Sequence, residues 1–342
     1  MKLVTYQSES GPRSGILLGE DYYDIQSSAA KMGIDLPSSI RDLLDLEDRG
    51  MDLLKQVSEV IPDRPISKLE NPSLLAPIPN PPTCRDAYAF RQHVATARRN
   101  RGVPMIEEFD QFPIFYFTNH KAVYGEGQVQ VENDHLYKLD FELELAIVIG
   151  KHGKNIPSSK ADQYIAGYTI MNDLSARLLQ MEEMKLNLGP AKGKDFATTI
   201  GPWLVTPDEL ESSKIETEFG NQYDLTMKAF HNGKQVSDGN AKDMNWTFAE
   251  IIERVSYGTE IYPGDVIGSG TVGTGCYLEL NGTWALEAKE KGEDFTPIWL
   301  QNGDSIELEI DGLGKLSNQI VLSNQEHSIL AKKKVPANSQ TK

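Results

Sequence analysis

The sequence predicts an α+β protein in which a small N-terminal α/β unit joins a larger, strand-rich domain. Three observations carry this expectation. The run Pro77-Ile78-Pro79-Asn80-Pro81-Pro82 suits neither helix nor central strand, since each proline lacks an amide donor and fixes φ. Upstream of it, short strand patterns precede a helical periodicity. Downstream, alternating or continuously apolar runs bounded by turn residues predominate. The expected boundaries are 1–76 for the small domain, 77–82 for the linker, 83–325 for the large domain and 326–342 for a flexible basic tail.

In chain order, Leu3-Val4-Thr5-Tyr6 and Gly15-Ile16-Leu17-Leu18 read as strands, with a turn at Gly19-Glu20-Asp21. Ile40, Leu43, Leu44, Leu53, Leu54, Val57, Val60 and Ile61 fall at helical spacing. Gly50 interrupts them, which predicts two short helices. In the large domain, the stretch Asp140 to Gly150 runs on as Leu145-Ala146-Ile147-Val148-Ile149, the pattern of a strand buried on both faces. Tyr168-Thr169-Ile170-Met171-Asn172-Asp173 reads as a strand before a helix that Asp173 or Ser175 could cap. Asn232-Gly233 is a two-residue hairpin signal, and Thr247-Phe248-Ala249-Glu250 is a capping box opening a helix through Val255. Thr274 to Leu280 alternates as a strand, and so does Ser305 to Ile310.

Charge narrows the class of partner. Fifty acidic against 34 basic residues give a formal charge of −16, which repels phosphate backbones and anionic lipids. No run approaches the ~20 apolar residues of a membrane helix, and the first residues lack a secretory apolar core. Neither nucleic acid nor membrane is expected as a partner. Two cysteines, Cys84 and Cys276, imply no disulfide framework and fit a cytoplasmic setting.

The informative chemistry is in the carboxylates. In Asp140-Phe141-Glu142-Leu143-Glu144, Glu142 and Glu144 share one strand face, about 6.5–7 Å apart along the chain. A solvent face is the bland reading of such a pair. Entry into a strand buried on both faces argues instead for a compensating cation or proton. Asp173 and Asp86 supply further carboxylates. All-oxygen ligation suits Mg²⁺, Mn²⁺ or Ca²⁺, and none of the six histidines has the paired spacing of a zinc site. Gly268-Ser269-Gly270-Thr271-Val272-Gly273 matches a dinucleotide fingerprint. The strand pattern expected after it excludes that reading, and leaves glycines that admit a close backbone or ligand.

Taken together, residues 83–324 resemble the fumarylacetoacetate hydrolase family. The resemblance rests on Asp86, Tyr88 and His93 in D-x-Y-x-x-x-x-H, Tyr116, the E-L-E pair, and Asp173, Arg177 and Gln180 in N-D-x-S-A-R-x-x-Q. Gly193-Lys194, Thr199 to Trp203, Gly270-Thr271, Glu279 in L-E-L, Asn302-Gly303-Asp304 and Gly312 to Asn318 extend it. The resemblance implies a mixed β-sandwich roll catalytic domain behind the small N-terminal domain, usually a homodimer. It implies Asp86, Glu142, Glu144 and Asp173 as ligands of a divalent metal, Mg²⁺ or else Mn²⁺ or Ca²⁺. It makes His93 and Glu279 the dyad that activates water, with Lys194 stabilising negative charge. Tyr88, Tyr116, Arg177, Gln180 and Thr271 line the site of a small anionic keto acid.

The implied activity is hydrolysis of a carbon–carbon bond in a β-diketo acid, such as fumarylacetoacetate or an acylpyruvate. Such a reaction needs a polarised carbonyl, an activated water and a stabilised enolate leaving group. The alternatives are decarboxylation or hydration and isomerisation of small keto acids through an enolate, and, more remotely, a non-catalytic metal- or ligand-binding protein. Leu174 stands where the family has Trp, and Met184 where animal members have Tyr. Spacing leaves Arg98, Arg99 and Arg101 as equal candidates for the arginine that follows the histidine.

Overall fold

A computed structural model describes residues 1–62, 67–325 and 327–330. Among these, one sheet of 12 strands forms the spine. Its order is Lys68–Leu69, Asp21–Asp24, Gly11–Leu18, Lys2–Ser8, Thr198–Val205, Ile165–Asp173, Leu143–Ile149, Val266–Gly268, Cys84–Ala87 and Phe115–Thr118, with two short strands off this path. Most pairings are antiparallel, while Val266–Gly268 runs parallel to Cys84–Ala87. A second sheet orders Lys234–Asn240, Thr226–His231, Ser305–Ile310, Gly314–Leu322 and Gly127–Val131. These mixed sheets with peripheral helices make an α+β fold, as expected.

The N-terminal strands continue the main sheet through Lys2↔Val205 and Leu3↔Leu204. The proline-rich segment is neither helix nor strand, yet Ile78 is fully buried against the core that holds Leu3, Ile16 and Leu54. Leu143–Ile149 is buried along its whole length. Leu143, Leu145, Ile147 and Ile149 feed one apolar cluster, and Ala146 and Val148 the other. The strand therefore divides two cores, and its period-two alternation is hidden because both faces are apolar.

The local turn and cap expectations agree with the structure. Asn232 and Gly233 both have positive φ in the hairpin that pairs His231 with Lys234. Thr247 and Glu250 form the reciprocal capping box of the helix Phe248–Ser256. Ser305–Ile310 alternates half-buried and buried. Of the tail, residues 331–342 lie outside the described residues, while the amides of Ile329 and Leu330 donate to Asp134.

Two expectations require correction. The break between the early helices falls at Asp45 and Leu46, between Ile40–Leu44 and Glu47–Val60, so Gly50 lies inside the second helix. A Cβ at Gly50 would sit 2.2 Å from the Leu43 carbonyl oxygen, so glycine there permits close packing of the two helices. The segment expected as a strand at Thr274 to Leu280 enters a helix, Tyr277–Lys291, closed by Gly292 in the left-handed conformation. Tyr277, Leu280 and Trp284 face the core at helical spacing. Seven alternating residues fit either period, and the longer window decides. The glycine loop before that helix still holds no dinucleotide signature in space, because its glycines are filled by protein, as described below.

Gly50→Ala tests the packing explanation. Alanine gains about 1 kcal/mol of helix propensity over glycine. The clash with the Leu43 carbonyl outweighs that gain, so chemical denaturation should show a net loss of about 1–3 kcal/mol. A stabilised variant would refute the close approach.

Candidate active site

Three strands within a run of four bring three carboxylates to one point. Asp173 closes the strand Ile165–Asp173, Glu144 lies on the adjoining Leu143–Ile149, and Asp86 lies one strand beyond Gly268. Register fixes the row, with Glu144 opposite Met171, Ala146 opposite Gly268 and Gly268 beside Asp86. One oxygen from each of Asp86, Glu144 and Asp173 lies within 4.8 Å of the others, and all three side chains are buried. Gly268 opens the space between them. A Cβ there would be 2.7 Å from Asp86 Oδ1 and 2.8 Å from Glu144 Oε2.

The charges are unequally compensated. Lys194 Nζ donates to both Glu142 and Asp173, and the Tyr116 hydroxyl donates to Asp173. Arg177 donates from Nη2 to Glu142 Oε1 at 2.6 Å and from Nε to Asp140 Oδ2 at 2.8 Å. Glu144 Oε2 and Asp173 Oδ1 are buried with no hydrogen-bond partner among the described residues. Burial alone raises the pKa of Glu142, but Arg177 and Lys194 overturn that and hold it well below the usual carboxylate range. Burial, then the charge of Asp173, pushes Asp86 up to about 7. Burial and Asp86 hold Glu144 far above its ordinary value. Burial lowers and Asp173 with Glu142 raises the Lys194 pKa, leaving it a firm cation.

These residues fit a divalent cation. The donor set is all oxygen, two carboxylate oxygens lack partners, and Gly268 leaves a cradle where a side chain would intrude. Asp86, Glu144 and Asp173 form the group directly. Glu142 joins it through Lys194, with both its oxygens taken by cations.

The second constellation is the pair His93 and Glu279, with Nδ1 2.6 Å from Oε2 and both side chains buried. His93 lies in the first turn of Arg91–Asn100 and Glu279 in the first turn of Tyr277–Lys291. These helices meet where the missing side chain of Gly282 leaves room for Asn100, whose Nδ2 donates to the Glu279 carbonyl at 2.9 Å. Gly273 packs on Gln92 and Gly270 on the backbone of Ala87 and Tyr88, so the glycine loop seats the histidine helix. Tyr88 meets the His93 ring edge-on at 6.0 Å between centroids.

The remaining expected residues take defined places. Arg177 is buried, its Nη1 donating to Gln180 Oε1 at 3.0 Å while its other donors hold Asp140 and Glu142. Thr271 Oγ1 lies 3.5 Å from Glu144 Oε1. Gly193 packs on the backbone of Gln180 and sets the turn that delivers Lys194. Neither Asp173 nor Ser175 caps the helix Arg177–Met184, which starts without a side-chain cap. Asp173 instead serves the carboxylate group, and the Ser175 hydroxyl bonds back to the Asp173 carbonyl. Of the three candidate arginines, Arg101 acts electrostatically on Tyr88.

Asp140 has a role that the reading of the sequence left unassigned. Fully buried, it accepts from Arg177 and from the amides of Tyr277 and Leu278, at 2.7 and 2.9 Å. It therefore ties the carboxylate group, through Arg177 and Glu142, to the helix start that carries Glu279. Its spacing from Glu142 and Glu144, in steps of two, was the available signal.

The raised carboxyl pKa values set a pH dependence. A carboxyl raised by folding stabilises the fold while protonated, and that contribution is lost as pH climbs from its ordinary value through about 7 for Asp86. Metal-free protein should therefore melt lower at pH 8 than at pH 6. Mg²⁺ should restore the loss at pH 8, have little effect at pH 6, and have none in Glu144→Gln. Equal Mg²⁺ shifts at both pH values, by thermal denaturation, would contradict this assignment.

Comparison with known proteins agrees with this architecture. The family model for the fumarylacetoacetate (FAA) hydrolase C-terminal region matches residues 83–321. The chain is 30% identical to a fumarylacetoacetate hydrolase domain-containing protein 2 homolog of Dictyostelium discoideum, over 94% of this chain and 97% of that one. It is 32% identical to the oxaloacetate tautomerase YisK of Bacillus subtilis (strain 168), over 74% of each chain. The solved fumarylacetoacetate hydrolase of Exiguobacterium antarcticum superposes with a TM-score of 0.68 at 25% identity, covering 94% of this chain and all of that one. The chain belongs to the fumarylacetoacetate hydrolase family.

Proposed function

We propose that this chain interconverts the keto and enol forms of a small 2-keto dicarboxylate of the oxaloacetate type. The observation that carries the reading is a carboxylate group with unpartnered oxygens set beside a buried His–Glu pair. The likeness to an oxaloacetate tautomerase supports the substrate class. Asp86, Glu144 and Asp173 would hold a divalent cation, which would supply positive charge to stabilise an enolate.

The chain's own residues do the rest. Glu279 engages His93 Nδ1 and fixes the ring, so that Nε2 is the nitrogen that exchanges a proton. His93 Nε2 takes a proton from the carbon beside the carbonyl and returns it at oxygen, or runs the reverse. Glu279 offsets the charge on the protonated ring between these events. Lys194, a buried cation bonded to Glu142 and Asp173, keeps the pocket from becoming too negative for an anionic substrate. Burial excludes bulk water, which strengthens each of these interactions.

The second reading is carbon–carbon hydrolysis of a β-diketo acid, favoured by the dyad, since a histidine oriented by a carboxylate suits activation of water. Likeness to a fumarylacetoacetate hydrolase supports it. One assay separates the two. Purified protein with Mg²⁺, and again with EDTA, is followed by ultraviolet absorbance with oxaloacetate, fumarylacetoacetate and short acylpyruvates. The expected result is metal-dependent acceleration of oxaloacetate enol decay without pyruvate release. His93→Ala should slow it by ~10²–10⁴-fold while leaving Mg²⁺ binding intact. Loss of the diketone band with release of free acid, and no effect on oxaloacetate, would assign the hydrolase. Pyruvate release would assign a decarboxylase.

A further inference from the structure

Next to the all-oxygen group lies a cluster of different chemistry. Cys276 immediately precedes the helix Tyr277–Lys291, and one ligand atom each from His93, Cys276 and Glu279 lies within 4.8 Å of the others. All three side chains are buried. The thiol of Cys276 has no hydrogen-bond partner among the described residues and no part in the chemistry above. Sulfur, imidazole nitrogen and carboxylate oxygen together suit Zn²⁺ and similar borderline ions, whereas Mg²⁺ prefers oxygen alone. Zinc bonds of about 2.0–2.3 Å place ligand atoms roughly 3–4 Å apart around one ion, so the cluster needs to contract by only about 1 Å.

We infer that His93, Cys276 and Glu279 form a second metal site, selective for Zn²⁺-like ions, whose occupation switches off the base. Three protein ligands with a position left open is a common zinc arrangement. On binding, the Cys276 thiol proton leaves to solvent and its sulfur bonds the ion. If the ion takes His93 Nδ1, the ring proton moves to Nε2. If it takes Nε2, the lone pair there is consumed. Either way His93 keeps no nitrogen free to accept a proton. The metal site stands apart from the proposed reaction, and only the switching rests on His93 as its base.

Cobalt supplies a test that does not depend on turnover. The full chain, with Mg²⁺ in excess to fill the oxygen site, is titrated with Co²⁺ and then with Zn²⁺. The expected result is a near-ultraviolet thiolate-to-cobalt charge-transfer band that Zn²⁺ removes. The band should be absent in Cys276→Ser, whose circular dichroism and unfolding transition should match the parent protein. In the turnover assay under the same Mg²⁺, Zn²⁺ should inhibit the parent, and Cys276→Ser should need on the order of 10–100-fold more Zn²⁺. No charge-transfer band, or an equal band in Cys276→Ser, would overturn the site. So would zinc inhibition that extra Mg²⁺ relieves equally in both proteins, since that places Zn²⁺ among the oxygens. A band without inhibition would uphold the site and overturn His93 as the base.

Discussion

Five carboxylates, Asp86, Asp140, Glu142, Glu144 and Asp173, are held out of water in the middle of this molecule, and much of the architecture serves to tolerate them. Withdrawing a charge from water costs several kcal/mol per ion even after the surroundings relax. A folded protein is stable by only about 5–15 kcal/mol in total, so the group cannot stay charged and uncompensated. Arg177 and Lys194 are the cations bonded to it, two against five. Arg177 serves Asp140 and Glu142, while Lys194 serves Glu142 and Asp173. Asp86 and Glu144 have no cation bonded to them among the described residues, and burial, with the neighbouring carboxylates, drives their pKa values up. We propose that a divalent ion supplies the missing charge, with protons in its place when the ion is gone.

Geometry follows from that requirement. The carboxylates converge because their strands lie in one sheet in fixed register, and because Gly268, on the strand between, presents no side chain between Asp86 and Glu144. Burial of Leu143–Ile149 against two apolar clusters makes the register rigid, since a slip of one residue would turn Glu144 into a core. Asp140 carries the constraint outward. It satisfies the first amides of Tyr277–Lys291 and grips Arg177, so the position of Glu279 is mechanically linked to that of Glu142. The base pair and the acidic group are thereby parts of one hydrogen-bonded unit.

Much of this was legible in the residues themselves. The E-L-E pair entering a continuously apolar strand already implied a compensated charge, because local sequence shows burial on both faces directly. The hairpin at Asn232-Gly233 and the box at Thr247 to Glu250 are local signals and agree with the structure. Features that depend on distant contacts were not legible. Gly50 read as a helix break because nothing nearby reveals that Leu43 lies against it. Thr274 to Leu280 read as a strand because seven residues fit both periods, and Gly282, inside the helix that forms, leaves the room that Asn100 fills. Asp173 offered a capping role that the structure does not use. Arg177 also bonds the buried carboxylates Asp140 and Glu142, a tie that no local pattern reveals. The proximity of Cys276 to His93 could not be seen across that span of chain.

Anomalous diffraction from a crystal of the protein grown with saturating Mn²⁺ above pH 7 would show whether a divalent ion completes the charge balance between Asp86, Glu144 and Asp173. One strong anomalous peak bonded to all three carboxylates is expected, with Glu144 Oε2 and Asp173 Oδ1 turned toward it. A peak elsewhere, or none at that point while Lys194 still bonds Glu142 and Asp173, would contradict it.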